Sequence, residues 1–256
     1  MDPLDYQRVN DCPIDVYIAS NMPYQYPYKL VKPAHVTEAV AESCETLIMD
    51  SGIRNDDVDN TEVLSLAHEY DADMVVAKDY LHDRKRTTAS IREFLDAWAD
   101  HQCRATPLIP LQPPHHEHYR QVPGQYHYLL GGMDFDTDAR EIITAIQRFR
   151  DMAGSGPYVH LLGVGANARV MDYLSRNPGA VQSLDCSTPE QCAINGKMYG
   201  TDLQQRPYNH RTGEGSRASR SGLARHLALT LCDSITVRYR EQQQGGQQTA
   251  ADYGMI

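Results

Sequence analysis

Residues 73–102, with the sequence DMVVAKDYLHDRKRTTASIREFLDAWADHQ, contain the unit that decides the fold. The run MVVA has the length and composition of a short buried strand, and it leads to the polar residue Asp79. The segment 87–102 is amphipathic, and its apolar side is formed by Ile91, Phe94, Leu95 and Trp98. A buried strand that leads into an amphipathic helix predicts one βα unit of a parallel sheet.

The same alternation recurs on both sides of this unit. The predicted strands are 15–20, 46–52, 73–79, 106–112, 126–132, 158–163 and 180–185, with a less regular candidate for an eighth at 198–201. The predicted helices are 36–45, 60–70, 87–102, 138–152, 166–176 and 222–241. In a chain of 256 residues this alternation predicts an α/β protein with a single-domain, zinc-free (β/α)8 TIM barrel over residues 1–240. A doubly wound sheet is the alternative, but no glycine-rich phosphate loop follows the first strand. The polar segment 241–256 is expected to be a disordered tail.

Composition excludes several classes of protein. The net charge of -10, from 24 basic and 34 acidic residues, excludes a surface that coats nucleic acid as a whole, although a local basic groove stays open. No apolar run reaches the roughly 18 residues of a membrane span, and the first residues do not resemble a secretory signal. The six scattered cysteines are expected to be reduced thiols, which favours a cytoplasmic protein, in the host cytoplasm if the chain is viral.

Polar and glycine residues stand where the predicted strands end. Because the active site of a (β/α)8 barrel lies at the carboxyl ends of its strands, these residues are expected to meet at one mouth. They are Asp50, Asp79, Gln112, Gly131, Gly132, Gly163 and Asp185, with the apolar Leu162 at the same strand end as Gly163. A single aspartate in such a place is as often a helix cap, whereas three carboxylates at strand ends favour a chemical site.

The motifs around these positions resemble the tRNA-guanine transglycosylase superfamily between about residues 45 and 200. They are MDSG at 49–52, VVAKD at 75–79, LQ at 111–112, LGGM at 130–133, LLGVG at 161–165 and LDCSTP at 184–189. The chain lacks the family's CxCxxC…H zinc motif and has PEQ at 189–191 where the family has PTR. In these departures it is most similar to the viral DNA 7-deazaguanine transglycosylases, the DpdA group.

The resemblance implies a base-exchange enzyme that needs no metal and no redox cofactor. Asp185, on the predicted seventh strand, would attack C1′ of a guanosine and expel guanine. Asp50, on the second, would be the general acid and base, and Asp79, on the third, would bind the edge of the purine. The base pocket would be lined by Gln112, Gly132, Met133, Leu162 and Gly163. The implied partners are DNA, or alternatively tRNA, and a free 7-deazaguanine base such as preQ0. A homodimer is compatible with the sequence.

Two basic clusters are candidates for contact with the polymer. The first is Arg84, Lys85 and Arg86, and the second contains Arg217 and Arg220 in a Gly/Ser-rich stretch. Both clusters also fit an ordinary solvated surface. Tyr24, Tyr26 and Tyr28 would either stack on an unpaired base or pack on the rim of the barrel.

Other functions stay open at this point. His115, His116, Glu117 and His118 suggest a metal-dependent barrel hydrolase, although adjacent histidines in a proline-flanked segment cannot all face one ion. A nucleic-acid-binding subunit that has kept the barrel but not the chemistry is a further alternative. A transglycosylase that acts on tRNA shares the expected chemistry and differs in its polymer.

Overall fold

The architecture is a closed barrel of parallel strands surrounded by helices. The computed structural model describes residues 1–52, 58–100, 102–122, 124–133, 137–208 and 217–252, with only the backbone described for 217–219 and 245–252. The barrel strands follow chain order: β1 (Asp15–Ala19), β2 (Tyr28–Val31), β3 (Thr46–Met49), β4 (Met74–Val76), β5 (Thr106–Leu111), β6 (His127–Leu130), β7 (Val159–Leu161) and β8 (Ser183–Cys186). β8 pairs with β1 and closes the barrel. The predicted (β/α)8 fold is confirmed.

Helices connect the strands on the outside. They are α1 (Pro3–Asn10), α2 (Glu38–Ala41), α3 (Asn60–Glu69), α4 (Arg84–Asp100), α5 (His115–Tyr119), α6 (Ala139–Ala153), α7 (Ala168–Arg176), α8 (Thr188–Ile194) and α9 (Arg217–Asp252). A short antiparallel pair, β9 (Lys197–Met198) and β10 (Arg206–Pro207), lies outside the barrel. Among the described residues, no helix combines the length and apolar character that crossing a membrane requires.

The strand numbering expected from the sequence is wrong by one, because β2 was not predicted. The segment 21–33 is rich in Tyr and Pro, and β2 has only four residues with Lys29 among them. Lys29 is nevertheless fully buried, because its Nζ donates to the carbonyl of Met22 at 2.9 Å and lies 4.5 Å from the centre of the Tyr24 ring. Asp50 and Asp79 therefore follow the third and fourth strands, and Asp185 lies on the eighth.

Three other expectations differ from the structure. Met198, in the candidate eighth strand 198–201, belongs to the β9–β10 pair instead of the barrel. The predicted helix 36–45 is reduced to α2, with a 3-10 turn at Pro33–His35 before it. α9 continues to Asp252, beyond the predicted end at residue 241, and most of the expected disordered tail is helical. Glutamine, the most frequent residue of this segment, favours helix once a long helix precedes it.

The tyrosines of the β1–β2 segment belong to the barrel and not to its rim. Tyr24 and Tyr26 are buried, and the Tyr26 hydroxyl donates to the carbonyl of Val16 at 3.0 Å. Tyr28 lies in β2 and contacts the Tyr17 ring, with 5.3 Å between the ring centres. Packing, the second of the two interpretations of these tyrosines, is therefore the one that the structure supports.

Two clusters of apolar side chains form the core, and one of them lies inside the barrel below the carboxyl ends of the strands. The smaller cluster fills the interior of the barrel and consists of Tyr17, Leu30, Ile48, Met74, Val76, Leu108 and Leu129. The larger cluster lies between the strands and the helices. Because the interior is filled by side chains, polar groups above it are cut off from water on the lower side.

The two ends of the described chain are joined outside the barrel. α1 lies along α9, and three ion pairs connect them: Asp5 with Arg225, Arg8 with Asp233 at 2.6 Å, and Asp11 with Arg240 at 2.8 Å. The first part of α9 lies near the mouth, since Ser221 Oγ is 3.8 Å from Met22 Sδ in the segment after β1. α9 thus runs from the mouth side of the barrel towards the opposite end.

Candidate active site

The aspartates predicted from strand ends meet at the mouth of the barrel. Asp50 follows β3, Asp79 follows β4, and Asp185 lies in β8, and each is at most 6% exposed. The negative charge of Asp185 raises the pKa of Asp50, so these two carboxylates interact. The charge of Asp50 in turn raises the pKa of Asp79. The structure therefore brings together the three acids on which the functional expectation depends.

Asp79 accepts two side-chain hydrogen bonds, and its pKa is raised to near neutral pH. Ser51 Oγ donates to Asp79 Oδ1 at 2.9 Å, and Gln112 Nε2 donates to Oδ2 at 2.8 Å. Burial, followed by repulsion from Asp50, raises the pKa of Asp79 to about 7. A carboxylate oxygen can accept more than one hydrogen bond, so an ionised Asp79 retains acceptor capacity for a ligand.

Asp50 has the environment of a proton donor. Burial raises the pKa of its carboxyl, and the charge of Asp185 raises it further, while Lys32 and Lys78 act in the opposite direction. One of its oxygens, Oδ1, accepts the backbone N–H of Ser51 at 2.8 Å. A carboxyl whose pKa is raised by desolvation keeps its proton to a higher pH, which suits a general acid.

Asp185 belongs to a buried hydrogen-bonded chain that descends into the barrel. Its Oδ1 accepts the N–H of Gly163 at 2.8 Å and lies 3.3 Å from His160 Nε2. His160 Nδ1 is 2.8 Å from Ser183 Oγ, which is 2.7 Å from the Tyr158 hydroxyl. The His160 tautomer with its proton on Nε2 can donate to this carboxylate oxygen. The chain fixes the rotamer of Asp185.

Gln112 is a positioning residue in this geometry. Its backbone N–H donates to His118 Nδ1 at 2.8 Å, and its Oε1 accepts the N–H of His82 at 3.1 Å. His82 has a left-handed φ of 59°, a strained conformation for a residue with a side chain. The buried side-chain amide of Gln112 is thus fixed between the backbone of His82 and the carboxylate of Asp79. The sequence predicted only that Gln112 lines the pocket, whereas here it also orients Asp79.

Glycines form one wall of the mouth. Gly132 has a φ of 69°, and a Cβ there would lie 2.3 Å from Gln112 Oε1 and 2.7 Å from Pro113 Cδ. At Gly131 a Cβ would lie 3.9 Å from Asp79 Oδ2 and 3.3 Å from a methyl group of Leu162. Leu162 and Met133 are half-buried beside these glycines. Gly132 is therefore required by the close approach of Gln112 and Pro113, and Gly131 leaves the backbone next to Asp79 without a side chain.

The His-rich segment 115–118 is used for structure. His115 Nε2 bonds to the carbonyl of Gly131 at 2.7 Å, and His118 Nε2 bonds to Thr88 Oγ1 at 2.9 Å. Burial lowers the pKa of both His115 and His118 to about 4, so both rings are neutral. Within the part of the chain that the structure describes, His, Cys, Asp and Glu form no group of three or more that suits a metal ion. This segment gives no support to a metal-dependent hydrolase.

A second polar feature adjoins the mouth at β8. A cavity of about 220 Å³ lies between the ends of β1 and β2 and the start of α8, and Lys32, His35, Ser187 and Glu190 are among its lining residues. Glu190 is buried, and its Oε2 accepts the N–H of Asn21 at 3.2 Å. Burial raises the pKa of Glu190. The position where the resembled family has PTR is therefore occupied by a buried acid.

The basic clusters are only partly available to a ligand. Arg84 pairs with Glu117 at 2.8 Å, and the guanidinium of Arg86 lies 3.6 Å from the centre of the Tyr80 ring. Lys85 and Arg220 are exposed. The side chain of Arg217 and the segment 209–216 lie outside the described residues. Lys85 and Arg220 are thus exposed cations, as expected of residues that bind a polymer.

The sequence pattern did not single out His160 or Ser51, and it marked Glu190 only as part of the PEQ departure at 189–191. For His160 a signal was present, since Tyr158, His160 and Leu162 alternate along one strand and so face the same side. A histidine that shares the inward face with a pocket residue is a candidate partner for an acid on the next strand. Ser51 carried no comparable signal, because short polar residues after strands are common.

Comparison with known proteins adds no assignment. No protein-family model matches the chain, and no curated protein matches it in sequence. The geometry of the mouth and the motif resemblance are therefore the two grounds for a function.

Proposed function

We propose that the chain is a guanine transglycosylase that exchanges guanine in DNA for a 7-deazaguanine base such as preQ0. The observation that carries the proposal is the meeting of Asp50, Asp79 and Asp185 at one mouth, with Asp185 held by Gly163 and His160. The motif resemblance to the tRNA-guanine transglycosylase superfamily supports the same chemistry.

In the first half of the reaction, Asp185 forms a bond from its carboxylate oxygen to C1′ of the target guanosine. The C1′–N9 bond breaks, its electron pair goes to the departing guanine, and a ring nitrogen of guanine takes the proton of Asp50. The transition state has oxocarbenium character, which the carboxylates stabilise. The product is a glycosyl ester of Asp185.

In the second half, N9 of the incoming base attacks C1′ and displaces the Asp185 carboxylate. The N9 proton passes to Asp50, which restores both acids. Two displacements retain the configuration at C1′. Asp79 accepts hydrogen bonds from the N1–H and the 2-amino group, which guanine and 7-deazaguanine bases share, so it selects both the leaving and the entering base.

DNA is the polymer that we favour over tRNA. The chain has no counterpart to the zinc motif of the tRNA enzymes, and Glu190 occupies the cavity beside Asp185 where their phosphate-binding segment would lie. A guanosine in a duplex must leave the stack before its C1′ can reach a carboxylate at the bottom of a mouth, so single-stranded or flipped nucleotides are the expected substrates.

The experiment that tests this function follows labelled guanine into DNA and, in parallel, into tRNA. The wild-type protein should incorporate label into DNA, and Asp185→Asn should reduce incorporation by at least about 1000-fold. Asp172→Asn, which changes a partly exposed acid paired with Arg176, is the control and should behave like the wild type. Mass spectrometry of denatured protein should detect a glycosyl adduct on Asp185.

Each other outcome assigns a different function. Incorporation into tRNA alone favours the tRNA transglycosylase. Activity that a chelator abolishes, together with metal in the purified protein, favours the hydrolase. Binding of nucleic acid without exchange points to a non-catalytic subunit, and full exchange by Asp185→Asn refutes the assignment of the nucleophile.

A further inference from the structure

A larger cavity lies next to the mouth, outside the acids. Its volume is about 460 Å³, within the usual range of ligand sites. It is bounded by the start of α5, the residues after β6 and one face of α6. Gly132 and Met133 belong to both the mouth and this cavity. Gln112, which lies against Gly132 and holds Asp79, stands between the cavity and the proposed base site.

Part of the lining is apolar and suits the face of a nucleobase. Pro113, Pro114 and Met133 belong to this part. Proline rings and a thioether present flat or adaptable apolar surface, on which any base can lie without a hydrogen-bond code. His82 and His116 add ring surfaces at the edge.

The lining also carries positive charge for which the described part of the chain shows no ion pair. Arg140, Thr144 and Arg148 lie four residues apart on α6, so they share one exposed face of the helix. Among the described residues, neither Arg140 nor Arg148 takes part in an ion pair, whereas Arg84 does. Glu141 is the one carboxylate in the described lining. In a chain with a net charge of -10, two unpaired arginines on one face indicate a site for an anion.

We propose that this cavity binds the nucleotide next to the target guanosine in a single-stranded segment of the substrate. Its base would lie on Pro113, Pro114 and Met133, and its phosphate would bind Arg140 and Arg148. A cavity lined by both apolar residues and a pair of guanidinium groups matches a nucleotide, which combines both characters in one unit. The proposal rests on the proposed function, since the target guanosine in the mouth determines which nucleotide reaches the cavity.

The test compares the double variant Arg140→Gln/Arg148→Gln with the wild type. Both side chains are exposed, so the fold should be retained, as the melting temperature will report. The ligands are a fluorescent single-stranded DNA with two nucleotides on each side of one guanosine, the same sequence as RNA, and guanosine monophosphate. Arg92→Gln, which changes an exposed arginine on α4, is the matched control.

The double variant should bind the flanked DNA about tenfold more weakly at low salt. The slope of log K against log salt should fall by about 0.7 for each phosphate that the variant no longer binds. Binding of guanosine monophosphate and the KM for free guanine should not change. A 4-thiothymidine placed next to the guanosine should crosslink on irradiation to the peptide that contains Met133.

Unchanged binding of the flanked DNA by the double variant would overturn the proposal, as would a crosslink that maps away from the cavity. The two proposals can fail separately. If the wild-type protein exchanges base and the double variant binds the flanked DNA normally, the proposed function stands and the proposed nucleotide site is refuted. If the wild-type protein does not exchange base but its DNA binding depends on Arg140 and Arg148, the proposed function is refuted and the nucleotide site stands.

Discussion

His160 Nε2 lies 3.3 Å from Asp185 Oδ1, and the same oxygen accepts the N–H of Gly163 at 2.8 Å. Both donors act on Oδ1, and the described residues place no donor on Oδ2. One oxygen of the carboxylate is thus anchored and the other is left for a reacting carbon. An anchored nucleophile loses less freedom when it attacks, which lowers the barrier.

The first prediction concerns this anchor. Replacing His160→Leu should lower kcat for base exchange by about 100-fold with little change in KM, because Asp185 loses its orientation while the base site is untouched. His160→Gln keeps an N–H donor and should recover most of the activity. Steady-state kinetics with DNA and labelled guanine measure both values.

His127→Leu is the control for this prediction, since His127 is another histidine of a barrel strand and stacks on Tyr158 at 4.5 Å without contacting Asp185. It should keep a normal kcat. If His127→Leu and His160→Leu lose the same activity, His160 acts through packing and not through Asp185.

The second prediction concerns the pH dependence of base recognition. The pKa of Asp79 is raised to about 7, so the carboxyl is ionised above this pH and protonated below it. Only the ionised form accepts from both the N1–H and the 2-amino group of guanine. The kcat/KM for guanine should therefore rise through pH 7 and fall about tenfold per pH unit below it.

Asp79→Asn tests the assignment of this titration. The amide does not ionise, so the variant should show a low kcat/KM for guanine with no transition near pH 7. A transition that persists in the variant would show that another group is responsible.

The third prediction separates the proton donor from the nucleophile. Asp50→Asn should reduce exchange of guanine by about 100-fold or more, the usual contribution of a general acid. DNA that contains 7-methylguanine at the target position has a leaving base that already carries a positive charge. The first half of the reaction on this DNA should be nearly normal in Asp50→Asn, and release of the free base measures it. An equal loss on both substrates would refute the role of Asp50.

The fourth prediction concerns the wall of the pocket. Gly132→Ala should destabilise the fold by about 1–3 kcal/mol, because its φ of 69° is strained for alanine and its Cβ would lie 2.3 Å from Gln112 Oε1. Moving Gln112 also releases Asp79, so the KM for guanine should rise.

Gly196→Ala is the matched control for this wall, since it has a φ of 60° and no atom near its Cβ. It should show the backbone strain alone, of about 1 kcal/mol, with a normal KM. Chemical denaturation and steady-state kinetics measure the two effects. Equal destabilisation in both variants would show that a Cβ at position 132 does not clash with Gln112.

The sequence predicted the barrel and the meeting of the acids for a simple physical reason. Strands that are buried on both faces are rich in apolar residues, so those that precede Asp50 and Asp79 are visible as runs, and the parallel fold brings their ends together with β8, which contains Asp185. β2 was hidden because Lys29 interrupts its run, and the burial of that lysine depends on partners, Met22 and Ser43, that the pattern does not reveal.

The finer geometry of the site could not be predicted in the same way. The hydrogen bonds of His160 with Asp185 and of Gln112 with Asp79 join neighbouring strands, and their distances depend on the register and on the rotamers. The same holds for the cavity along α6, since the periodicity of a helix shows which residues share a face but not that the face borders a mouth. The burial of His115 and His118, which separates them from a shared metal site, also depends on packing that the sequence pattern does not show.

The position of Asp185 in the strand that closes the barrel has a consequence for synthesis of the chain. β8 pairs with β1, so the ring of strands cannot be completed until residues 183–186 have left the ribosome. Asp50 and Asp79 are synthesised much earlier than Asp185. A nascent or truncated product that stops before β8 would contain Asp50 and Asp79 but not Asp185, and under the proposed mechanism it would lack the nucleophile that cuts the glycosidic bond.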